Sequence, residues 1–395
     1  MKTSLLRLGF GLCLLLGLST CGKRELPSVW IEGPERSSLT GRDRVDCELR
    51  YQSTSDRFRV PAHLKRRGGM SFGYDKHSYT LHLDRKIPLD FLPLDRDWVL
   101  NASYIDKTFV RHKVAYDLFR RLDERNRAAR SRYVRLFYND RYQGLYLLME
   151  KLDASTLAID RADRGALIIK DPPLFMADSL VRHADSSNFF EQKFPDLLQR
   201  DHNPDLHRLK AFLFKASDQA FRHDVPLLFD LDNLIDWHLM LLLTNNSDGI
   251  LKNFYLYQQN SQTPFRVAIW DYDHSFGRDG DNELNLIRPL DERRSVLFRR
   301  LMALNVAGYN CRLQSRWQQL QKSHFHPRNI HRMIDQNLAQ IRDELERNAE
   351  RWPLDYHWYF DDNDCWEEVA IIHRYLDQRL PQIDSYLREV AASCP

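Results

Sequence analysis

Four oxygen-bearing side chains in the middle of the chain have the types and spacing for metal-assisted chemistry on a hydroxyl. Asp248 is followed five residues later by Asn253, and Asp271 and Asp273 come after a further apolar run. Carboxylate and carboxamide oxygens can hold Mg²⁺, and a neighbouring carboxylate can orient a hydroxyl and accept its proton. The pattern indicates a site that positions a cation beside an acceptor group. A simple turn-forming role for Asp248 is the alternative interpretation.

The elements around these residues must bring them together. A buried, apolar helix predicted over 231–243 leads into the polar loop that contains Asp248. Two strand-like runs follow, at 254–257 and 267–270; the carboxamide precedes the first run and the carboxylate pair follows the second. A rigid helix that leads into a polar loop suits a catalytic loop, because reacting groups need firm supports.

The same segment resembles known kinase motifs. The spacing from Asp248 to Asn253 matches the D-x-x-x-x-N catalytic loop of protein kinases, in which the Asp accepts the hydroxyl proton and the Asn holds a metal. The runs K-N-F-Y-L-Y at 252–257 and I-W-D-Y-D at 269–273 are similar to the signature of the CotH family of atypical secreted protein kinases.

Two upstream segments agree with that resemblance. An Arg-Gly-rich run at 65–74 is followed by Lys76-His77-Ser78-Tyr79, and a hairpin over 136–151 carries Glu150 near its end. Both are similar to segments of the CotH family in the family's order. The resemblance covers roughly residues 60 to 280. Several motifs in the family's order are more specific evidence than any single motif.

The resemblance implies an α+β, two-lobed fold of the atypical protein-kinase type. A β-rich N-terminal lobe would occupy 57–171, preceded by a segment with the first strands at 22–56. A mainly helical C-terminal lobe would occupy 172–395. It also implies ATP and Mg²⁺ (or Mn²⁺) as cofactors. Asp248 would then be the catalytic residue, and the metal would be held by Asn253, Asp271 and Asp273. A structural role in the loop is the alternative for Asp273.

Five further residues are nucleotide-binding candidates on the same grounds. Arg67 and Gly68 would cover the phosphates, although a Gly-rich segment between strands is often only a turn. Lys76 or Lys170 would contact the phosphates; the choice stays open because the family shows two basic residues where this chain has a Lys-His pair. Glu150 would pair that lysine, or it forms an ordinary ion pair at a strand end.

The implied activity is transfer of the γ-phosphate of ATP to Ser or Thr hydroxyls of an exported or surface protein. Three alternatives remain. The acidic cluster could serve a metal-dependent phosphoesterase, although such sites usually add His ligands and His274 is the only close one. The fold could be a catalytically silent binding or adhesion module. The 12% aromatic content could reflect a glycan-binding scaffold.

The amino terminus predicts export. Residues 1–21 have a positive start, a short apolar segment and Leu18-Ser19-Thr20-Cys21, which resembles a bacterial lipobox. We expect Cys21 to be lipidated and to anchor the protein to a bacterial membrane of the cell envelope, with the outer membrane or cell surface favoured. An ordinary cleaved secretory signal is the alternative. The partner would be a protein substrate on the cell surface or in the periplasm.

Composition bounds the remaining possibilities. A chain of 395 residues that is 43% hydrophobic and 29% charged is typical of a globular protein with two lobes or domains. The formal net charge of +3 gives no basis for a nucleic-acid partner, and the membrane would be reached through the lipid anchor only.

Periodicity predicts the other elements. Alternating patterns at 58–64 and 79–83 predict strands, and patterns at 107–122 and 206–221 predict single helices. Residues 174–204 lack a period and are interpreted as a loop or lid. Four further helices are predicted at 297–304, 311–322, 326–348 and 364–390. Near the start of the helix predicted at 107–122, Arg111 and His112 would face substrate or water.

The cysteines fit an exported protein. Cys47, Cys311, Cys365 and Cys394 allow three pairings that the sequence does not distinguish. A bridge from Cys365 to Cys311 or Cys394 and a set of unpaired, buried thiols are both compatible with the pattern.

Overall fold

A computed structural model describes most of the chain. The described residues are 25–36, 39–89, 92–176, 191–278, 289–354, 362–392 and 394. The predicted signal segment, with Cys21, lies outside them, as does much of the predicted 174–204 loop. Among the helices described, none has the length and apolar character required to cross a bilayer.

The amino-terminal part of the described chain forms a closed barrel. Its seven strands are β1 (Ser28–Glu32), β2 (Val45–Gln52), β3 (Arg57–Arg67), β4 (Ser78–Ile87), β5 (Asp95–Asn101), β6 (Ser131–Tyr138) and β7 (Arg141–Glu150). The order around the barrel is β1-β2-β3-β4-β5-β7-β6, and parallel pairing of β1 with β6 closes it. The strands before residue 56 therefore belong to the same barrel as those after it.

Alternation of side chains builds the barrel core. Val60, Leu64, Leu81 and Trp98 are almost fully buried inside the barrel, which confirms the predicted two-residue period of these strands. β7 is buried on both faces, because the outer side of the barrel packs against the helices. The β6–β7 turn is also confirmed, with Asn139 and Asp140 both at positive φ.

A second, four-stranded sheet lies beside the barrel. Its strands are β8 (Leu167–Lys170), β9 (Glu191–Phe194), β10 (Phe254–Gln258) and β11 (Arg266–Ile269). They run antiparallel in the order β11-β10-β8-β9. The two strands that flank the candidate chemical residues are thus neighbours.

Helices dominate the carboxy-terminal part. The helices of this part are α2 (Asn203–Lys215), α3 (Asp218–Leu228), α4 (Leu231–Thr244), α5 (Val296–Ala303), α6 (Tyr309–Gln321), α7 (Pro327–Arg351) and α8 (Cys365–Val390). One helix, α1 (Arg111–Leu122), comes earlier in the chain, between β5 and β6. The molecule is therefore a mixed α+β protein with a β-rich amino-terminal region and a helical carboxy-terminal region. α4 is buried along nearly its whole length, as its apolar sequence predicts.

Three predictions about local structure were wrong. Residues 174–204, interpreted as a loop or lid, contain β9 and the start of α2. The single helix predicted over 206–221 is two helices, because Ala216 is extended and Ser217 caps α3 by accepting a hydrogen bond from the Ala220 N–H at 3.2 Å. Bridges that involve Cys365 were also wrong, since Cys311 is bonded to Cys394 and Cys365 keeps a free thiol. The bridge ties α6 to the chain beyond α8.

Candidate functional site

Asp248 lies in a turn that α4 positions. The helix ends at Asn245, which is in the left-handed conformation. The next residue, Asn246, is fully buried; its Oδ1 accepts a backbone N–H of the turn at 2.8 Å, and its Nδ2 donates to the Asp271 carbonyl at 3.4 Å. The Asp248 carboxylate stays partly exposed, 3.2 Å from the Lys252 ammonium. The turn is therefore held against Asp271 while its carboxylate remains accessible.

Asn253 and Asp271 meet because they flank the paired strands β10 and β11. Both residues adopt positive φ, at 62° and 58°, a conformation that Asn and Asp tolerate better than most residues. Asn253 Nδ2 donates to the Asp271 carbonyl at 3.2 Å, and the Asn253 N–H donates to Asp171 Oδ1 at 2.9 Å. With its nitrogen engaged, the amide oxygen of Asn253 is the atom suited to bind a cation.

A third group joins the two carboxylates. Ligand atoms of His112, Asp271 and Asp273 all lie within 4.8 Å of one another. His112 Nε2 is 3.2 Å from Asp271 Oδ1, and the Asp271 N–H donates to the Tyr116 hydroxyl at 2.9 Å. His112 and Tyr116 are four residues apart in α1, so one helix face holds both the side chain and the backbone of Asp271.

His112 was not predicted from the sequence to belong to this cluster. The available signal was weak: a His and a Tyr four residues apart within a helix that was already explained by its apolar stripe. Its neighbour Arg111 faces neither substrate nor water. The Arg111 side chain is fully buried and donates to Asp106 Oδ1 at 2.7 Å, to Glu368 Oε2 at 3.0 Å and to the Ser275 carbonyl at 3.0 Å.

The electrostatics of the cluster favour a bound cation. Burial opposes ionisation of Asp271, but the hydrogen bond from His112 and the charges of His112, His274 and Arg67 outweigh burial and lower the pKa of Asp271 to about 2. Burial and the nearby Asp271 charge raise the pKa of Asp273. Two carboxyl groups this close disfavour joint ionisation unless a positive charge lies between them. The Asp271 side chain keeps 47% of its surface accessible, so a cation can reach it.

A cavity of about 330 Å³ is lined by Trp270, the residue before Asp271, and we call it the basic cleft. Its basic lining residues are Arg44, Lys65, Arg67, Lys151, Lys170 and Lys193, and it also contains the rings of Tyr255 and Trp270. The Arg67 guanidinium lies 5.2 Å from the centre of the Trp270 ring, one residue before Asp271. Positive charge and flat aromatic surfaces together suit a phosphorylated, ring-containing ligand.

The family model described as CotH kinase protein matches residues 64–383, which is most of the chain. This chain belongs to the CotH kinase family. It is also similar to the inner spore coat protein H of Bacillus subtilis (strain 168), with 27% identity over 264 residues. That match covers 65% of this chain and 66% of the relative, so the chain spans just under two thirds of the curated relative's length. The family predicted from the motifs is confirmed.

Lys76 does not line the basic cleft of this CotH family member. Its ammonium is buried and donates to the carbonyls of Ala102 at 2.8 Å and Leu145 at 2.5 Å, and to Asn348 Oδ1 at 2.8 Å. These bonds use all three of its donors, and burial lowers the pKa of Lys76 well below its usual value. The prediction of a nucleotide contact is corrected: Lys76 connects the barrel to α7.

Glu150 does not pair with Lys76 either. Its carboxylate accepts the Arg130 N–H at 2.7 Å and lines a different cavity, of about 570 Å³, together with Arg120 and Arg130. The next residue, Lys151, lines the basic cleft, because successive side chains at a strand end point to opposite sides. The predicted Glu150 role in nucleotide binding is corrected on this geometry.

Gly68 serves the turn in which it lies. It adopts φ +135°, and a Cβ there would lie 2.5 Å from Ser71 Oγ and 2.7 Å from the Phe72 nitrogen. Only glycine fits that approach, which favours the turn interpretation over phosphate covering. Of the five nucleotide candidates, the structure brings Arg67 and Lys170 to the basic cleft.

Proposed function

We propose that this protein is a CotH-type protein kinase with a two-lobed, kinase-like arrangement. It would transfer the γ-phosphate of ATP to Ser or Thr hydroxyls of an exported or surface protein. The observation that supports this most is the meeting of Asn253 with Asp271, with the Asp248 turn held against the same aspartate. Asp271 directly follows Trp270, which lines the basic cleft. Positioning and charge neutralisation are most of what phosphoryl transfer requires.

The donor set fits a hard divalent cation. Asp271 and Asp273 offer carboxylate oxygens and Asn253 offers an amide oxygen, which are the ligands that Mg²⁺ and Mn²⁺ accept. When bound, the ion would neutralise phosphate charge. Among the protein groups, His112 and Tyr116 orient Asp271 from α1. The hydrogen bond from the Asn253 side-chain amide to the Asp271 carbonyl fixes the distance between the two loops.

Asp248 is the proposed proton acceptor. Its carboxylate is partly exposed, so an acceptor hydroxyl from another protein can reach it, and Lys252 at 3.2 Å orients it. The nucleotide would lie in the basic cleft, where Arg67 and Lys170 would neutralise its phosphates. The Lys170 ammonium is 3.0 Å from Asp171 Oδ2, and Asp171 also accepts the Asn253 N–H, which links the cleft to the cation ligands.

The direct test is phosphate transfer from labelled ATP. The chain lacking residues 1–21 is incubated with Mg²⁺ or Mn²⁺ and a Ser/Thr-rich acceptor protein. We expect transfer by the wild type and its loss in Asp271→Asn and Asp248→Asn. Asp224→Asn, a partly exposed carboxylate on α3, is the matched control and should retain activity. Full activity in both site variants would refute the proposal, and nucleotide binding without transfer would favour the silent-module alternative.

The proposed location is the bacterial cell envelope, with Cys21 as the lipid attachment point. The similar Bacillus protein is named as a spore coat protein, which agrees with a place at the cell surface. Labelling with a fatty-acid analogue tests the anchor: incorporation should occur in the wild type and disappear in Cys21→Ala. Labelling that persists in Cys21→Ala would contradict the lipoprotein assignment.

A further inference from the structure

Two copies of one short motif face each other across α7 and α8, in a region that plays no part in the proposed kinase site. α7 carries H-R-M-I-D, from His331 to Asp335, and α8 carries H-R-Y-L-D, from His373 to Asp377. In each copy the His and the Asp are four residues apart, so both lie on one helix face. The two helices pack against each other.

The four side chains form a chain of contacts that alternates between the helices. His331 Nδ1 is 2.6 Å from His373 Nδ1. At the outer ends, His331 Nε2 is 3.0 Å from Asp377 Oδ1 and His373 Nε2 is 3.3 Å from Asp335 Oδ1. Each histidine therefore contacts the carboxylate of the other copy of the motif.

The two rings meet edge to edge. Their centres are 4.8 Å apart and their planes differ by 20°. The distance between the ring centres exceeds the 2.6 Å between the two Nδ1 atoms by about the sum of the two ring radii. Both Nδ1 atoms must then lie near the line that joins the ring centres, with their in-plane electron pairs directed at each other.

Such an arrangement requires a positively charged species, either a proton or a metal ion, between the two Nδ1 atoms. A carboxylate only accepts, so each Nε2 must carry the hydrogen that faces its aspartate. Both neutral rings then present a lone pair at Nδ1, and two lone pairs repel at this distance. A histidine whose other nitrogen donates to a carboxylate is also the usual form of a metal-ligating histidine, because the carboxylate fixes the tautomer and raises the basicity of the ligand.

We propose that His331 and His373 bind a borderline divalent transition-metal ion, of which Zn²⁺ is the representative, through their Nδ1 atoms. Imidazole nitrogen suits Zn²⁺, Ni²⁺ and Cu²⁺ and does not suit Mg²⁺, so this site differs in chemistry from the oxygen-rich cluster around Asp271. Tetrahedral Zn–N bonds of about 2.0–2.1 Å place the two nitrogens about 3.3 Å apart, so the rings need to open by roughly 0.7 Å.

The surroundings allow that adjustment. The side chains of His331 and His373 are 23% and 27% exposed, so the open side of the pair faces solvent and can admit water as further ligands. The bound ion would fasten α7 to α8. α7 carries Asn348, which holds Lys76 of the barrel region, and α8 carries Glu368, which holds Arg111. The metal would therefore stabilise the contact between two helices that brace different parts of the molecule.

The experiment measures zinc bound per chain. The tag-free full chain in detergent is dialysed against ZnCl₂ in the presence of a large excess of Mg²⁺, and bound zinc is determined by elemental analysis. We expect the wild type to hold one equivalent more than His331→Ala or His373→Ala. The exposed His223→Ala is the matched control and should keep that equivalent.

Two further measurements make the result decisive. With Co²⁺ in place of Zn²⁺, the visible absorption of nitrogen-ligated cobalt should appear in the wild type and be lost in both alanine variants. Asp335→Asn and Asp377→Asn retain both imidazoles and should weaken zinc binding by roughly 10–100-fold. Equal zinc content in the wild type and both His variants would overturn the proposal and would leave a shared proton as the species between the rings. If the alanine variants do not fold, a zinc affinity that neither Asp variant changes would also overturn the proposal.

Discussion

His112 Nε2 lies 3.2 Å from Asp271 Oδ1, although 159 positions separate the two residues. One turn further along α1, the Tyr116 hydroxyl accepts the backbone N–H of Asp271 at 2.9 Å. The helix thus orients both parts of the aspartate that follows β11. In the proposed kinase this makes α1 part of the cation site, where sequence periodicity indicated only a packing role.

The first prediction concerns cation preference. His112→Asn keeps a polar side chain but removes the imidazole. That ring is the nitrogen ligand candidate in the cluster with Asp271 and Asp273, and it is also the hydrogen-bond partner of Asp271. We expect activity to fall by roughly 10–100-fold, the usual effect of removing such a supporting group. If His112 is itself a ligand, the loss should be larger with Mn²⁺ than with Mg²⁺, since Mn²⁺ accepts nitrogen more readily.

The measurement is the rate of transfer with each ion for wild type and variant. An equal loss with both ions would identify His112 as a group that only orients Asp271. Unchanged rates with both ions would contradict any role in the site. His274→Asn, a change in a histidine on the same loop, is the comparison.

The second prediction separates the two lysines. Lys170→Met should weaken ATP binding by roughly 10-fold or more, because it removes a charged donor from the basic cleft. Lys76→Met should leave ATP affinity nearly unchanged and lower the free energy of unfolding by roughly 1–3 kcal/mol, since it removes the lysine donor from the buried carbonyls of Ala102 and Leu145. Asn348 Oδ1 keeps a donor in the variant, the Leu145 N–H at 3.1 Å.

Titration with a fluorescent ATP analogue and urea unfolding of both variants give the two readouts. The assignment fails if Lys76→Met loses nucleotide affinity without a loss of stability. Lys193→Met removes another lysine of the cleft. Its loss of ATP affinity shows how much of the loss in Lys170→Met comes only from the lower positive charge of the cleft.

The third prediction concerns pH and His77. Burial, with the charges of Arg66 and Arg36, lowers the pKa of His77 to about 4 from 6.5. Between these values the unfolded chain binds a proton that the folded chain does not. The contribution of His77 to the free energy of unfolding is therefore fully present above pH 6.5 and is lost as pH falls towards 4.

Urea unfolding at pH 7.5 and pH 4.5 checks this linkage. The midpoint of the wild type should fall more between the two conditions than that of His77→Gln, which has no proton to gain. A parallel decrease in the two proteins would show that His77 titrates normally in the folded state.

The fourth prediction concerns the Cys311–Cys394 bridge. The bonded residues are 83 positions apart, so the bond removes considerable freedom from the unfolded chain. The chain-entropy relation assigns a loop of this size about 4.6 kcal/mol of stabilisation. Reduction of the wild type, or Cys394→Ser, should lower the free energy of unfolding by up to this amount.

Urea unfolding with and without reductant provides the measurement. Cys365→Ser is the control: it should respond to reductant as the wild type does, because Cys365 carries a free thiol. A wild-type midpoint that does not change on reduction would refute a stabilising role of the bridge.

Local sequence was sufficient for several strands and for the meeting of two site residues. The two-residue period of β3 and β4 reports which side chains enter the barrel, because alternate residues of a strand point to opposite faces. Asn253 and Asp271 flank two strands joined by a short turn, and such strands pair with each other. Their proximity could be predicted from about twenty consecutive residues.

The contacts of Lys76 could not be predicted in this way. A lysine at the start of a strand near a Gly-rich turn has the same local pattern whether it faces a phosphate or a protein carbonyl. Its partner Asn348 lies 272 positions away, on α7. The same holds for the choice of Cys394 as the partner of Cys311, which depends on where the chain beyond α8 ends against α6.

The sequence by itself determined the family, the order of most elements and the proximity of Asn253 to Asp271. Only the tertiary structure decided that His112 joins this group, that Lys76 is buried and that His331 meets His373. The reason is physical. Periodicity and strand pairing are set by neighbours a few residues apart, whereas the partners of a buried polar group are set by the packing of elements that are distant in the chain.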